Sequence, residues 1–297
     1  MFRIGFFADG PWSHLAFSKL LSRKNLEVSF VCGRYKTSDV ILKELCRKNN
    51  IIFLTSKDIN SSKFIEEVRK FNCELFVSMS FNQIFKDDMI NLPKFNIINC
   101  HAGKLPFYRG RNILNWVLIN DESEFGITVH YVDHGVDTGD IILQKTYDIN
   151  DSDNYKTLLE TAYVECANLL DSAVSLFLNS VNIPRISQKS IHPVGFYCSK
   201  RQVGDELINW GLNSREIFNF VRSISQPGPI ARTFFNGSEV KINEVKLIED
   251  MPQYIGVPGA ILKSGLNSID VKTGDSVIRV TSYESVLDLK VGSRFEK

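Results

Sequence analysis

The sequence predicts an α/β protein: a Rossmann-like, doubly wound sheet followed by a small β-rich C-terminal domain. Three observations predict it. Short apolar runs alternate with amphipathic ones from residue 2 to residue 98, the order of a parallel sheet with crossover helices. A polar stretch carrying Pro184 and Pro193, from 181 to 195, then breaks the pattern and reads as a linker. Beyond it, short strand-like runs are separated by Gly and Asn turns, as in a small barrel or open sheet. The expected division is 1–190 for the first domain and 191–297 for the second.

Each element has its own justification. Residues 2–8 form an apolar run ending at Asp9-Gly10-Pro11, a buried first strand. Ser13 is the expected N-cap of a helix with Ala16, Phe17, Leu20 and Leu21 inside. A strand over 28–31, a helix through Val40, Ile41 and Leu45 capped by Ser38, and a strand over 51–54 follow. Phe64, Ile65 and Val68 mark a helix, 75–77 a strand, and 95–98 the strand that leads into Asn99. A helix-like run covers 112–120, and two strands, 126–132 and 141–143, are joined by a Gly- and Asp-rich loop. Leu158 to Leu176 repeats at helical spacing. In the second domain a helix is expected over 205–220, with strands at 240–248, 260–262, 269–271 and 277–281.

Bulk properties exclude several classes. With 35 Lys+Arg against 34 Asp+Glu, the net charge of +1 leaves no electrostatic footprint for nucleic acid or an anionic membrane. No apolar run is long enough to span a bilayer. Met1-Phe2-Arg3-Ile4 enters a strand without a leader pattern, so the expected location is cytoplasmic. The 6 cysteines are scattered without a Cys-x-x-Cys and read as reduced core residues, neither disulfides nor a metal site. The glycines after the first strand, Gly5 and Gly10, lack the Gly-x-Gly-x-x-Gly spacing, so no nicotinamide or flavin is expected.

The chemistry concentrates in Asn99-Cys100-His101, at the carboxyl end of a strand, where open α/β sheets bind ligands. Alternation puts Asn99 and His101 on one side and Cys100 on the other, which argues against Cys100 as a nucleophile. With Asp137 in the later loop, they supply an oxyanion donor, a base and an orienter. That set serves acyl transfer to an amine acceptor that is itself the nucleophile. Spacing alone fits loop hydrogen bonding equally well. Asp133, Asp137 and Asp140 lack a calcium-loop spacing, and no metal is expected.

A resemblance goes further. The run from His101 to Gly110 (His-Ala-Gly-Lys-Leu-Pro-Phe-Tyr-Arg-Gly), then Gly126-Ile127-Thr128, then Asp133-x-Gly135-x-Asp137-Thr138-Gly139-Asp140, resembles the signature of the folate-dependent formyltransferases. The resemblance implies Asn99, His101 and Asp137 as catalytic residues and N10-formyltetrahydrofolate as donor. It places the pterin against Met79, Phe81, Ile84 and Phe85 and near Asp133, Gly135 and Asp140. At Ala102-Gly103-Lys104 the chain departs from the His-Ala-Ser-Leu-Leu-Pro of the tRNA branch. Arg109-Gly110-Arg111-Asn112, Lys200-Arg201, Gly204 to Trp210 and Val221-Arg222-Ser223 resemble the sugar N-formyltransferase branch. The implied acceptor is therefore a nucleotide-linked amino-dideoxysugar, expected to be a dTDP-linked 4-amino-4,6-dideoxysugar of O-antigen biosynthesis. Lys104, Tyr108, Arg109, Lys200, Arg201 and Arg222 are the candidate acceptor contacts. A UDP-linked or 3-amino sugar, methionyl-tRNA, and simple hydrolysis of the donor are the alternatives. A homodimer through the second domain is left open by the sequence.

Overall fold

The computed structural model describes residues 1–37, 39–179 and 182–296. Ser38 and Val181, which the sequence reading used, lie outside the described residues. The chain begins with the expected alternation: β1 (Phe2–Ala8), α1 (Pro11–Leu21), β2 (Leu26–Gly33), α2 (Val40–Lys48), β3 (Ile52–Thr55), α3 (Ser62–Arg69), β4 (Leu75–Met79), α4 (Asp87–Ile90) and β5 (Ile97–His101). Next come β6 (Arg109–Gly110), α5 (Ile113–Ile119), β7 (Glu124–Tyr131), β8 (Ile141–Asp148) and α6 (Tyr155–Leu178). The remainder is α7 (Gln188–Ile191), β9 (Tyr197–Cys198), α8 (Ser214–Ile224), β10 (Ala231–Phe235), β11 (Ser238–Leu247), β12 (Ile261–Ser264), β13 (Ile269–Lys272) and β14 (Val277–Glu284).

Seven strands form the first sheet in the order β3-β2-β1-β4-β5-β7-β8. The pairs β2–β3, β1–β2, β1–β4 and β4–β5 are parallel, and β7 is antiparallel to β5. Every residue of β4 is buried, as is β1 from Ile4 onward, which is why their sequences read as unbroken apolar runs. Phe7, Phe30, Phe76 and Phe85 make one aromatic core on this sheet. Because the strand order reverses between β1 and β4, the carboxyl ends of the parallel strands open a crevice of the kind that holds ligands in this architecture.

Three local expectations are corrected. Ser13 is not the N-cap of α1: Pro11 occupies the first turn, and Ser13 donates its N–H and hydroxyl back to the Gly10 carbonyl at 3.0 and 2.8 Å. Proline needs no partner for an N–H it lacks, so the helix starts earlier. The cap of α2 is Asp39, whose carboxylate accepts from the Ile41 and Leu42 amides at 2.8 and 3.2 Å. In the second domain the helix begins at Ser214, not at residue 205. Asn213 and Glu216 close a reciprocal capping box there, while Ile208 N–H and Glu206 C=O bond to the backbone of Arg232 in β10.

Two compact units divide the chain: Met1–Gly110, Phe125–Tyr147 and Glu160–Cys198 form one, Arg111–Glu124, Asp148–Leu159 and Ser199–Lys297 the other. In the second, an antiparallel sheet ordered β10-β11-β14-β13-β12 packs with α8 around Trp210, Val221, Val240, Ile242, Val271 and Val280. α5 belongs to this unit, and Asn115 Nδ2 donates to the Ser223 carbonyl at 2.6 Å. Among the described residues no helix is long and apolar enough to cross a membrane.

Candidate active site

Strand alternation on β5 puts Asn99 and His101 on one face. Cys100 is buried on the other, its Sγ 3.5 Å from the Cys166 carbonyl, and takes no part in the polar cluster. The antiparallel register sets Asn99 opposite His130 and His101 opposite Thr128. His130 is the residue that sequence reasoning missed. Its only signal is an imidazole two positions from Thr128 in an otherwise apolar strand.

One carboxylate lies between two imidazoles. Asp137 Oδ2 is 3.6 Å from His101 Nδ1, and its Oδ1 is 3.5 Å from His130 Nε2. His101 Nε2 donates to the Tyr108 carbonyl at 2.7 Å, and His130 Nδ1 donates to the Tyr131 carbonyl at 2.7 Å. A carbonyl only accepts, so those two nitrogens carry hydrogen. Each ring therefore turns its remaining nitrogen toward Asp137. Asn99 Nδ2 lies 3.3 Å from His130 Nε2. Burial alone would raise the Asp137 carboxyl. The His101 charge, the His130 hydrogen bond and the Gly110 amide outweigh burial and hold it well below the usual carboxylate range.

The loop carrying Asp137 is built to return there. Asp133 Oδ1 accepts from the Gly135 amide and the Thr138 hydroxyl, and Tyr131 N–H bonds to the Asp140 carbonyl at 2.9 Å. A Cβ on Gly139 would stand 1.8 Å from the Tyr131 carbonyl oxygen, so only glycine permits that approach. Asp137 itself adopts φ 54°, and the Gly110 amide donates to its Oδ2 at 2.9 Å. Gly103 is equally constrained: a Cβ there would meet His101 Nε2 at 2.4 Å and the Tyr108 carbonyl at 2.5 Å.

The remaining predicted residues divide sharply. Met79 and Phe85 are buried, and Phe85 stacks edge-on to Phe7 at 5.1 Å, so these two are core and not a ligand surface. Phe81 is packed against the same cluster, whereas Ile84 is 58% exposed. Asp133 and Gly135 shape the loop as described. Lys104 lies over Gly126, where any side chain would meet its Cβ at 2.6 Å. Tyr108 is buried edge-on to Phe196 and reaches the cluster through its carbonyl. Arg109 donates Nε and Nη2 to Gln188 Oε1 at 3.1 and 2.6 Å.

In the second unit, Lys200 is exposed. Arg201 bonds to the Asp205 carbonyl and stacks over Trp116 and Phe220. Arg222 is corrected. Only 7% exposed, it donates to Asn219 Oδ1 at 3.0 Å and to the Asn150 and Asp153 carbonyls at 2.8 and 3.3 Å, so its guanidinium is already occupied within the fold.

Among the described residues no cluster of His, Cys, Asp and Glu is fit to hold a metal ion. A cavity of about 240 Å³ borders the Asp133 end of the loop, lined by Ile90, Asn96, Tyr131, His134 and Arg185 among others.

Fold and site together are those of an α/β enzyme whose sheet edge gathers an Asn, two His and an Asp. Residues 27–171 match the formyl transferase family and residues 201–285 its C-terminal domain. A methionyl-tRNA formyltransferase of Pelotomaculum thermopropionicum is 33% identical over 252 residues, covering 85% of this chain and 78% of the relative. The chain belongs to the formyl transferase family.

Among solved structures, the N-formyltransferase of Helicobacter canadensis, in complex with folinic acid and dTDP-3-aminofucose, superposes with a TM-score of 0.71 at 20% identity, covering 95% of this chain and 99% of that one. HypX of Aquifex aeolicus, in complex with tetrahydrofolic acid, gives 0.59 at 15% identity. That alignment covers 95% of this chain but only 44% of HypX. At these identities the superpositions show the fold alone.

Proposed function

We propose that this formyl transferase moves the formyl group of N10-formyltetrahydrofolate to the amine of a nucleotide-linked amino-dideoxysugar, with a dTDP-linked 4-amino-4,6-dideoxysugar as the expected acceptor. The observation that carries the chemistry is the convergence of Asn99, His101, His130 and Asp137 at the end of β5 with no serine or cysteine nucleophile among them. The acceptor amine attacks the formyl carbon directly. A new C–N bond forms as the carbonyl electrons move to oxygen, and Asn99 with the His101 imidazolium stabilises that charge. Collapse breaks the bond to N10: the His101 imidazolium, oriented by Asp137, gives its Nε2 proton to N10 and then takes the proton that the attacking amine sheds. The products are the N-formylated sugar and tetrahydrofolate. For the proton step, His101 Nε2 exchanges the Tyr108 carbonyl for the reacting atoms.

The donor's pterin is proposed to lie between Ile84, the backbone beside Phe81 and the loop of Asp133, Gly135 and Asp140, as the family motifs imply. Lys104, Arg109, Lys200 and Arg201 remain the proposed acceptor contacts. For the sugar acceptor, the support is the Gly103-Lys104 departure from the tRNA-branch motif, the motifs of the second unit and the net charge of +1. A second reading, methionyl-tRNA as acceptor, is favoured by the 33% identity to an enzyme of that name. The test is incubation with N10-formyltetrahydrofolate and a panel of dTDP- and UDP-linked 3- and 4-amino-dideoxysugars alongside methionyl-tRNA, read by mass. One added formyl group on a sugar supports the reading. A formyl group on the tRNA alone, or formate release without any acceptor, replaces it.

A further inference from the structure

Gln188 has no place in the reaction as described, yet its side chain bonds directly to the backbone of the Asp137 loop. It opens the short helix α7 and is 3% exposed. Its Oε1 accepts twice from Arg109, and its Nε2 donates to the Asp137 carbonyl at 2.9 Å and to the Gly139 carbonyl at 2.8 Å. A primary amide offers two acceptor sites and two N–H donors, and all four are used. Its orientation is dictated as well. A guanidinium only donates and a carbonyl only accepts, so flipping the amide would break every contact.

What the amide holds is the one strained residue of the cluster. Asp137 sits at φ 54°, in the left-handed region that few non-glycine residues adopt. Two of the surrounding forces come from the segment at 109–110: the Gly110 amide holds the carboxylate directly, and Arg109 holds the backbone through Gln188. Backbone bonds between Ile141 and Ile186 at 2.8 and 3.0 Å anchor the segment that leads into α7 and Gln188. The charged and titratable groups around this arrangement are Arg109, Asp137, His101 and His130.

We infer that Gln188 is a positioning residue of formyl transfer: its amide fixes the Asp137 turn so that one carboxylate faces both imidazoles. The inference rests on the reading of Asp137 as the carboxylate of the transfer site. Gln188→Glu keeps an acceptor for Arg109 but removes both donors, and sets a carboxylate against two carbonyls. Gln188→Met removes all four contacts at similar volume and decides the matter if the Glu variant fails to fold.

Full-length variants are assayed with N10-formyltetrahydrofolate and the panel member that accepts the formyl group, with formate release as the readout where no acceptor is added. The expected result is a fall in kcat of about ten- to a hundredfold, with the donor KM within about threefold, since a misplacement on the order of 1 Å at a reacting group has that effect. Asp137→Asn separates the failures. If Gln188 acts through Asp137, Gln188→Met adds no further loss in that background by single-turnover measurement. A kcat within about threefold of the parent in Gln188→Met, or a loss that persists undiminished beside Asp137→Asn, overturns the positioning role. Parent-like turnover in Asp137→Asn alone overturns the reading of the site beneath it.

Discussion

His101 is held on both sides of its ring, by the Tyr108 carbonyl on Nε2 and by Asp137 across from Nδ1. Removing the ring by His101→Ala is expected to lower kcat by roughly 10²–10⁴-fold, the range for a positioned acid–base group, with donor KM little changed. Near-parent turnover would show that the proton moves by another path. Gly103 offers a sharper probe, because it tests geometry without deleting a functional group. In Gly103→Ser the new Cβ falls between His101 Nε2 and the Tyr108 carbonyl. The expected outcome is a loss of at least about tenfold in kcat, with the His101 ring nitrogens shifted in ¹⁵N NMR. Unchanged ring signals with full activity would mean the 102–110 segment relaxes freely. Asn99 and His101 were legible because alternation on a strand is a property of sequence. His130 and Gln188 were not, since their fixed nitrogens bond to backbone carbonyls that no side-chain pattern displays.

Among the elements, the buried parallel strands were the most legible: β1 and β4 are buried on both faces, and their short apolar runs are bounded by turn residues. α8 was misjudged at its start. Leu207, Ile208 and Trp210 mimic helical spacing, but Ile208 and Trp210 fill the second core while the neighbouring backbone joins β10. The capping box that starts the helix has a predictable value. Asn213→Ala removes the acceptor for the Glu216 amide and is expected to cost about 1 kcal/mol, seen as a lowered thermal midpoint with no change in kcat. A thermal midpoint equal to the parent's would show that the helix is held by packing alone. The grouping of α5 with α8 was invisible in sequence, because Asn115 and Ser223 meet only through tertiary folding.

At the scale of the molecule, the buried Asp137 ties chemistry to stability. Its carboxyl is depressed in the folded state, so the ionised group stabilises the native form above its unfolded value of about pH 4, and that contribution is lost as pH falls toward the folded value. The gap in thermal midpoint between wild type and Asp137→Asn should therefore be fully developed above about pH 5 and close as the pH drops below about 4. A constant gap across that range would show that the neighbouring imidazoles do not stabilise the carboxylate.

The opposed strands β5 and β7 carry one more implication. Side chains on a strand obey parity, and Asn99, His101, Thr128 and His130 all hold positions set by one register. A slip of a single residue in β7 would turn Val129 and Tyr131 to the cleft and drive Thr128 and His130 into the apolar layer. The error that would disable the enzyme is thus the same error that would unfold it. Assembly of the sheet proofreads the cluster, and a chain that has folded has these polar side chains already in step.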